Sequence, residues 1–233
     1  MFEGFSKETG EFLWDLSFHN EKSWFLAHKE QYERCLHTPF RELARAAAEE
    51  LQARCPAMDV QVHVSRIYRD ARRLFGRGPY KDHLWFTLKD GPNHSEGPMF
   101  WFEIRPATYS YGMGYFDVTP AEMEIFRRTV DANPARFERL AGQIAGMKGL
   151  AVIGQEYARP KGSYEEPVRS WYNRKWFAVE AKRDLEGDAF SPELPRILCD
   201  AFEKLMPMYE YLLQVHRAAG EAGRTAPDGR SHG

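Results

Sequence analysis

The stretch VQVHVSRIYRDARRLFGRGPYKDH, residues 60–83, decides how the rest of the chain is interpreted. It opens with valine alternating with polar residues, which is the period of a β-strand that is apolar on one face. The strand leads directly into a segment in which cations far outnumber acids. The acids are Asp70 and Asp82, and the cations are Arg66, Arg69, Arg72, Arg73, Arg77 and Lys81.

This clustering is local, because the whole chain has a formal net charge of only -2. Cations within one Debye length, about 8 Å at physiological salt, repel one another unless acids or a bound anion lie among them. The planar guanidinium of arginine pairs in a bidentate manner with carboxylates and with phosphates. The segment therefore predicts an anion site, and it does not by itself indicate a reaction.

The alternation of the strand also predicts side-chain directions. If strand pairing continues past Val64, Arg66 and Tyr68 lie on the valine face and Arg69 lies on the opposite face. Arg66 is then partly buried and needs a carboxylate or an anion, because an unpaired buried charge is costly. On this pattern Arg66 and Arg69 share a site only if the strand ends or bulges between them.

Helices are predicted before the strand. Ser6 has the character of a helix cap, and Asn20 would cap a second helix over residues 21–36. Thr38-Pro39 starts a third helix, whose inward side chains are Phe40, Leu43, Ala47 and Leu51.

Strands and then further helices are predicted after the basic segment. Runs with period two cover residues 83–88, 99–105 and 109–116, and their short connections favour an antiparallel meander. Cap signals at Thr119, Asn133 and Ser191 start later helices. The predicted fold class is α+β, with a mainly antiparallel sheet on which N-terminal and C-terminal helices pack.

Length and composition favour one globular domain. The 233 residues are 43% hydrophobic and 14% aromatic, enough for a full core. We expect a single α+β domain over residues 1–216 and a disordered tail over residues 217–233, which lacks apolar periodicity. The run WYNRKWF, residues 171–177, has the composition of a base-stacking surface, but its aromatic load favours a core-facing set with its cations reaching water.

Composition also bears on location and cofactors. A pI near 6.5 argues against binding nucleic acid or membrane through the overall field. We find no apolar run of about 18 residues and no secretory leader, so we expect a cytoplasmic protein with no membrane association. The three cysteines form no CxxC pair and predict reduced thiols. The eight histidines lack metal-binding spacing, and we predict neither a metal nor a cofactor.

The basic segment resembles the domain-of-unknown-function family 2461, whose signature runs Arg-x-x-Arg-Asp-x-Arg-Phe and ends, after a gap, on a tyrosine. The matching positions are Arg66, Arg69, Asp70, Arg72 and Tyr80. The departing positions are Arg73 for Phe, Gly76 for an acid or amide, and Arg77 for Lys. Lys175 is similar to a further family position. The family has no assigned function, so the resemblance implies matching positions and no activity.

The first functional hypothesis is a pocket for a phosphorylated small molecule or nucleotide. Its ligand-binding candidates are Arg66, Arg69, Arg72, Arg77, Tyr80, Lys81 and Lys175. If chemistry occurs there, Asp70 or Asp82 is the candidate base and His83 the candidate acid, with arginines stabilising negative charge.

Two alternatives remain open at this point. One is a module that binds nucleic acid or an acidic protein through the same patch, extended by Trp171, Tyr172, Arg174, Lys175 and Trp176. The other is a purely structural arginine network, in which the partners would be Asp70, Asp82, Glu103 and Asp117.

Overall fold

The computed structural model describes residues 1–70, 72, 74, 76–91 and 96–225, with side chains as far as residue 221. Its helices are α1 (Lys7–Phe18), α2 (Lys22–Ala27), α3 (Lys29–Tyr32), α4 (Thr38–Arg54), α5 (Pro120–Ala132), α6 (Pro134–Ala145), α7 (Arg169–Tyr172) and α8 (Leu194–Thr225). Its strands are β1 (Val60–Val64), β2 (Leu84–Asp90), β3 (Met99–Ile104), β4 (Thr108–Tyr115), β5 (Ala151–Glu156) and β6 (Arg174–Asp184). No helix in the described part is long and apolar enough to cross a membrane.

The strands form one sheet in the order β1-β2-β3-β4-β6-β5. Strands β1 and β2 are antiparallel with Val64 opposite Phe86, and β2 and β3 are antiparallel with Leu84 opposite Ile104. The alternating apolar residues of β2 and β3, including Phe86 and Phe102, are fully buried, whereas Val62 of β1 is exposed. The predicted fold class, α+β with a mainly antiparallel sheet and helices at both ends, is confirmed.

The N-terminal helices follow the predicted caps only in part. Ser6 is the N-cap of α1, and α4 begins at Thr38 with its proline in the first turn. The single helix predicted over residues 21–36 is instead divided into α2, α3 and a π-helical turn at Glu33–His37. The break between α2 and α3 falls at His28, whose Nδ1 lies 2.8 Å from the Trp24 carbonyl oxygen. The side chain therefore contacts the backbone where the two helices are separated.

The C-terminal helix is longer than predicted. Helix α8 continues to Thr225, so a disordered tail that starts at residue 217 is wrong for residues 217–225. The reason is cooperativity, because adding a residue to an existing helix is easier than starting one, and the extension begins with two alanines after Arg217. The rest of the predicted tail, residues 226–233, lies outside the described residues.

The chain divides into two compact units. As far as they are described, the first comprises residues 1–94, 99–112 and 180–204, and the second residues 95–98, 113–179 and 205–233. The prediction of a single domain over residues 1–216 stays a prediction.

Each unit has its own aromatic core. In the first unit the ring centroids of Phe86 and Phe102 lie 5.4 Å apart, and Phe40 packs edge-on against Phe86 at 5.6 Å. In the second unit Trp171 lies 5.1 Å from Phe177. Such aromatic contacts dominate core energetics, which explains the high aromatic content of the chain.

Candidate anion-binding site

The basic segment forms a loop that begins where β1 ends, at Val64. The N–H of Ser65 donates to the Trp85 carbonyl at 2.8 Å, and the Ser65 Oγ accepts from the Trp85 N–H at 3.0 Å. The strand ends before Arg66, so the predicted partial burial of Arg66 is wrong and its side chain is exposed. Ile67 is buried in its place, with 2% of its surface accessible.

Backbone bonds close the loop on itself. The Lys81 N–H donates to the Ile67 carbonyl at 2.8 Å, and the Arg69 N–H donates to the Pro79 carbonyl at 2.8 Å. These bonds bring the two ends of the basic loop side by side. Because the regular strand has already ended, the face rule that separated Arg66 from Arg69 no longer applies.

Tyr80 anchors the loop to the core of the first unit. Its ring is 2% exposed and stacks on Phe25 at 4.2 Å, and its backbone forms an antiparallel bridge with Tyr68. The Asn20 amide donates to the Tyr80 carbonyl and accepts from the Tyr80 N–H, both at 2.9 Å. Gly78 lies so close to Asn20 that a Cβ would collide with it. The structure therefore places Tyr80, a predicted ligand contact, in the core.

A concavity of about 650 Å³ lies against this loop. Ligand pockets are commonly about 300–1,000 Å³. The predicted site residues that line it are Arg66, Arg69, Arg72, Arg77, Lys81, Asp70 and His83. The structure thus brings together most of the predicted site, and Tyr80 and Asp82 are not among the residues that line the concavity.

Some of the cations that line this concavity are unpaired, and others have partners. The guanidinium groups of Arg66 and Arg77 are exposed and make no hydrogen bond or ion pair with any residue of the described part of the chain. Arg72 is bonded to Asp70 through Nε at 3.0 Å and Nη2 at 2.8 Å, and its side chain is 88% exposed. An exposed pair of this kind contributes little to stability, because solvent screens the two charges.

Arg69 is held more firmly. Its Nε donates to the Tyr80 carbonyl at 2.7 Å, and its side chain is 18% exposed. Its Nη2 lies 3.8 Å from the Asp82 carboxylate, which is too far for a hydrogen bond. Arg69 is therefore fixed in position by the Tyr80 carbonyl, with the Asp82 carboxylate as a more distant ion-pair partner.

The pKa of Lys81 reflects both burial and the neighbouring cations. Burial lowers the pKa of its half-buried ammonium group, and the charges of Arg69 and Arg66 lower it further. Glu103 opposes this effect more weakly. A lysine whose pKa is depressed by neighbouring cations lies where positive charge is in excess.

His83 and Asp82 form a hydrogen-bonded pair. The Asp82 Oδ1 lies 2.8 Å from the His83 Nδ1. Burial would raise the pKa of Asp82, but the hydrogen bond with His83, the backbone and Arg105 together hold it below its ordinary value. A carboxylate at Nδ1 fixes the tautomer and leaves Nε2 for another partner.

The acids proposed for an internal network pair with two of the loop arginines, since Asp70 bonds to Arg72 and Asp82 lies 3.8 Å from Arg69. Glu103 accepts a hydrogen bond from Arg105 at 2.6 Å, and Asp117 belongs to the second unit. Of the cations, Arg72 is the one that forms a close ion pair with a proposed acid within the described residues.

Lys175 belongs to the second unit and is not among the residues that line the concavity. Its Nζ lies 5.9 Å from the ring centroid of Tyr157, which Lys161 and Arg127 also approach, at 4.7 Å and 5.6 Å. Such cation–π contacts give Lys175 a local structural partner.

A family model described as a conserved hypothetical protein (DUF2461) matches residues 8–211. The chain belongs to the DUF2461 family. The match includes the whole basic loop, and the resemblance inferred from its arginine signature is confirmed at the level of the family. A comparison with curated proteins gives no match.

In this DUF2461 protein Trp85, His63 and Asn20 contribute to the site, although the sequence pattern had not marked them as candidates. Trp85 and His63 line the concavity. Strand alternation could have found both, because Trp85 lies between the inward residues of β2 and His63 between valines of β1. Asn20 had no such signal, since its contact lies 60 residues away in the sequence.

Proposed function

We propose that the concavity binds the phosphoryl group of a phosphorylated small molecule or nucleotide. The observation that carries this proposal is the charge balance of its wall. The lining cations are Arg66, Arg69, Arg72, Arg77 and Lys81, and the one carboxylate among the described lining residues is Asp70. That carboxylate is already bonded to Arg72. A phosphate would supply the missing negative charge and accept from several donors.

The exposure of the cations suggests how a phosphate would be held. Arg69 and Lys81 are partly buried, and Arg69 is fixed by the Tyr80 carbonyl. We assign them the inner contacts, and we assign the exposed Arg66 and Arg77 the outer ones. Part of the site is therefore organised before the ligand arrives, which reduces the entropy lost on binding.

If the bound phosphate ester reacts, proton transfer falls to His83. Its Nδ1 is engaged by Asp82, so Nε2 is the free nitrogen of a residue on the wall. Asp82 then acts as a positioning residue, and Asp70 is held by Arg72. This proton transfer by His83 is a proposal separate from the binding of a phosphoryl group.

The alternative of an extended nucleic-acid surface has weaker support. Trp171 and Tyr172 are buried, so their rings are not open for base stacking. Arg174 donates to the carbonyls of Ser170 and Gly154 at 2.6 and 2.7 Å. Much of the predicted extension is thus already used inside the second unit.

We also propose that the protein resides in the cytoplasm. None of its three cysteines, all within the described residues, forms a disulfide, and burial raises the pKa of the Cys35 and Cys199 thiols to about 12, which keeps them protonated and unreactive. A protein that keeps free thiols suits a reducing compartment. Recovery in the cytoplasmic fraction of the source cell is expected, and recovery elsewhere would contradict the proposal.

Calorimetric titration with pyrophosphate and ribose 5-phosphate tests phosphoryl binding. Arg66→Ala is the most informative variant, because the Arg66 guanidinium has no described partner and its loss should leave the fold intact. A hydrogen bond to a charged group is worth about 1.5–3 kcal/mol, so affinity should fall about 10- to 150-fold. Arg139→Ala, which removes an exposed arginine of α6, is the matched control and should bind like wild type.

Three outcomes separate the hypotheses. Binding that Arg66→Ala weakens and Arg139→Ala preserves supports the proposal. Absence of binding by both compounds at millimolar concentration rejects it. Tight binding of a single-stranded oligonucleotide instead, with a salt slope of about -0.7 per phosphate and sensitivity to Lys175→Ala, would favour the nucleic-acid alternative.

A further inference from the structure

The wall of the cationic concavity includes an exposed aromatic ring. Tyr68 lines the concavity, and 55% of its surface is accessible. Most tyrosines of this chain are buried or half-buried in the described part, so Tyr68 is unusual among them. Its position among arginines places an apolar, planar surface next to the proposed phosphoryl contacts.

The backbone and the ring of Tyr68 are both supported. The backbone forms the antiparallel bridge with Tyr80. The ring centroid lies 5.2 Å from that of Tyr80 and 6.0 Å from that of Phe25, and these two rings are stacked on each other at 4.2 Å. Tyr68 thus rests on a fixed aromatic base, and little conformational entropy would be lost if a ligand covered its exposed surface.

A second aromatic residue of the wall, Trp85, is already occupied in part. The Lys81 Nζ lies 5.7 Å from its ring centroid, and the His63 ring lies 5.5 Å away at an angle of 45°. Trp85 is also only partly exposed. Of these two aromatic side chains, Tyr68 offers the more accessible surface.

The size of the concavity points in the same direction. Its volume of about 650 Å³ is far more than a single phosphoryl group requires. Pockets of about 300–1,000 Å³ enclose molecules the size of drugs and cofactors. A ligand that uses both the arginines and Tyr68 must carry an anionic group and, a short distance away, a flat apolar group.

We infer that the ligand is a mononucleotide whose base stacks on Tyr68 while its phosphate contacts the arginines. This inference rests on the proposed phosphoryl site and adds the base to it. A tyrosine face accepts any base, because every base presents a π surface. Tyr68 thus favours a ligand that carries an aromatic base over a sugar phosphate that lacks one, without distinguishing one base from another.

The test compares ligands that differ only in the base. Ribose 5-phosphate and each of the common ribonucleoside 5′-monophosphates are titrated separately into the wild-type protein by calorimetry. Stacking of one base is worth about 1–3 kcal/mol, so the nucleotide should bind about 5- to 150-fold more tightly than ribose 5-phosphate. Tyr68→Leu should remove most of this difference.

Two further variants control for changes in fold and in general surface. Tyr68→Phe keeps the ring and should retain the preference for nucleotides. Phe18→Leu removes another exposed aromatic ring of the first unit and should behave like wild type. Thermal unfolding of each variant shows whether it is folded under the titration conditions.

The outcomes distinguish this inference from the proposal beneath it. Equal affinity for ribose 5-phosphate and nucleotides, still reduced by Arg66→Ala, would overturn the stacking inference and leave the phosphoryl site intact. A nucleotide preference that survives in Tyr68→Leu would also overturn it. Failure of every phosphorylated compound to bind would reject both.

Discussion

At the scale of single residues, two arginines of one loop have different physical roles. Arg69 donates to the Tyr80 carbonyl and is partly buried, whereas the Arg66 guanidinium is exposed and unpaired within the described residues. Strand alternation predicted the reverse, with Arg66 partly buried and Arg69 on the opposite face. Their difference arises from the end of β1 at Val64.

This difference predicts unequal effects on stability. Arg69→Ala should lower the free energy of unfolding by about 1 kcal/mol through the lost hydrogen bond, which corresponds to about 2–4 °C in the melting temperature. Arg66→Ala should stay within about 0.5 kcal/mol of wild type. Urea unfolding measures both values. Equal destabilisation by the two variants would indicate a structural arginine network.

Glu122 should make stability depend on acid pH. Burial would raise its pKa, but hydrogen bonds from Thr119, Tyr115 and His216 hold it below the ordinary value of 4.5. Stability from this carboxylate is therefore complete above pH 4.5 and is lost as the pH falls through the lowered value. Glu122→Gln should show a smaller loss of melting temperature between pH 6 and pH 3 than wild type.

The control for this experiment is Glu138→Gln, which removes an exposed carboxylate of α6. It should retain the pH dependence of the wild-type protein. If Glu122→Gln and wild type lose stability equally on acidification, the hydrogen bonds around Glu122 do not stabilise its charged form.

At the scale of elements, two hydrogen bonds between the Asn20 amide and the Tyr80 backbone, which we call the Asn20 clamp, connect the turn before α2 to the basic loop. Asn20→Ala removes both hydrogen bonds to Tyr80 and leaves the Tyr80 N–H without its acceptor, while the Tyr80 carbonyl still accepts from Arg69 Nε. We expect a loss of about 1–3 kcal/mol in unfolding free energy, measured by urea denaturation. Asn20→Asp keeps the acceptor for the Tyr80 N–H and should lose less. A loss below about 0.5 kcal/mol in Asn20→Ala would show that the clamp contributes little.

Two glycines of the second unit should respond to alanine in opposite directions. Gly154 in β5 has φ of 145°, and a Cβ there would collide with the Trp176 carbonyl oxygen. Gly142 in α6 has open space around it. Gly154→Ala should destabilise the protein by more than about 1 kcal/mol, whereas Gly142→Ala should stabilise it by about 0.5–1 kcal/mol. Thermal unfolding of the pair would contradict this account if both variants shifted in the same direction.

Strands that bury every second residue could be predicted from the sequence, whereas elements without such a pattern could not. The runs that became β2 and β3 alternate clearly, and their inward residues, such as Leu84 and Phe100, are fully buried. Strand β6 was missed because consecutive residues Phe177, Ala178 and Val179 are all buried, which hides the period of two. The division of the second helix falls at His28, and no sequence pattern indicates it.

At the scale of the whole molecule, the candidate site was predictable where it is local in sequence. The local density of cations in the sequence was enough to predict a group of site residues, and the structure places them around one concavity. They are Arg66, Arg69, Arg72, Arg77 and Lys81. The tertiary supports were not predictable, because Tyr80 is held by Asn20 and Phe25 from a distant part of the chain. Lys175 was grouped with the loop on family resemblance, and the structure assigns it to the second unit.

The most direct test of the central claim is a two-dimensional NMR titration of the assigned, uniformly ¹⁵N-labelled protein with pyrophosphate. We expect saturable shifts of the amide and arginine Nε signals within residues 65–83. The signals of the cations around Tyr157, which are Arg127, Lys161 and Lys175, should not shift. Absence of saturable shifts in the loop, or shifts confined to residues 157–176, would contradict an anion site at this concavity.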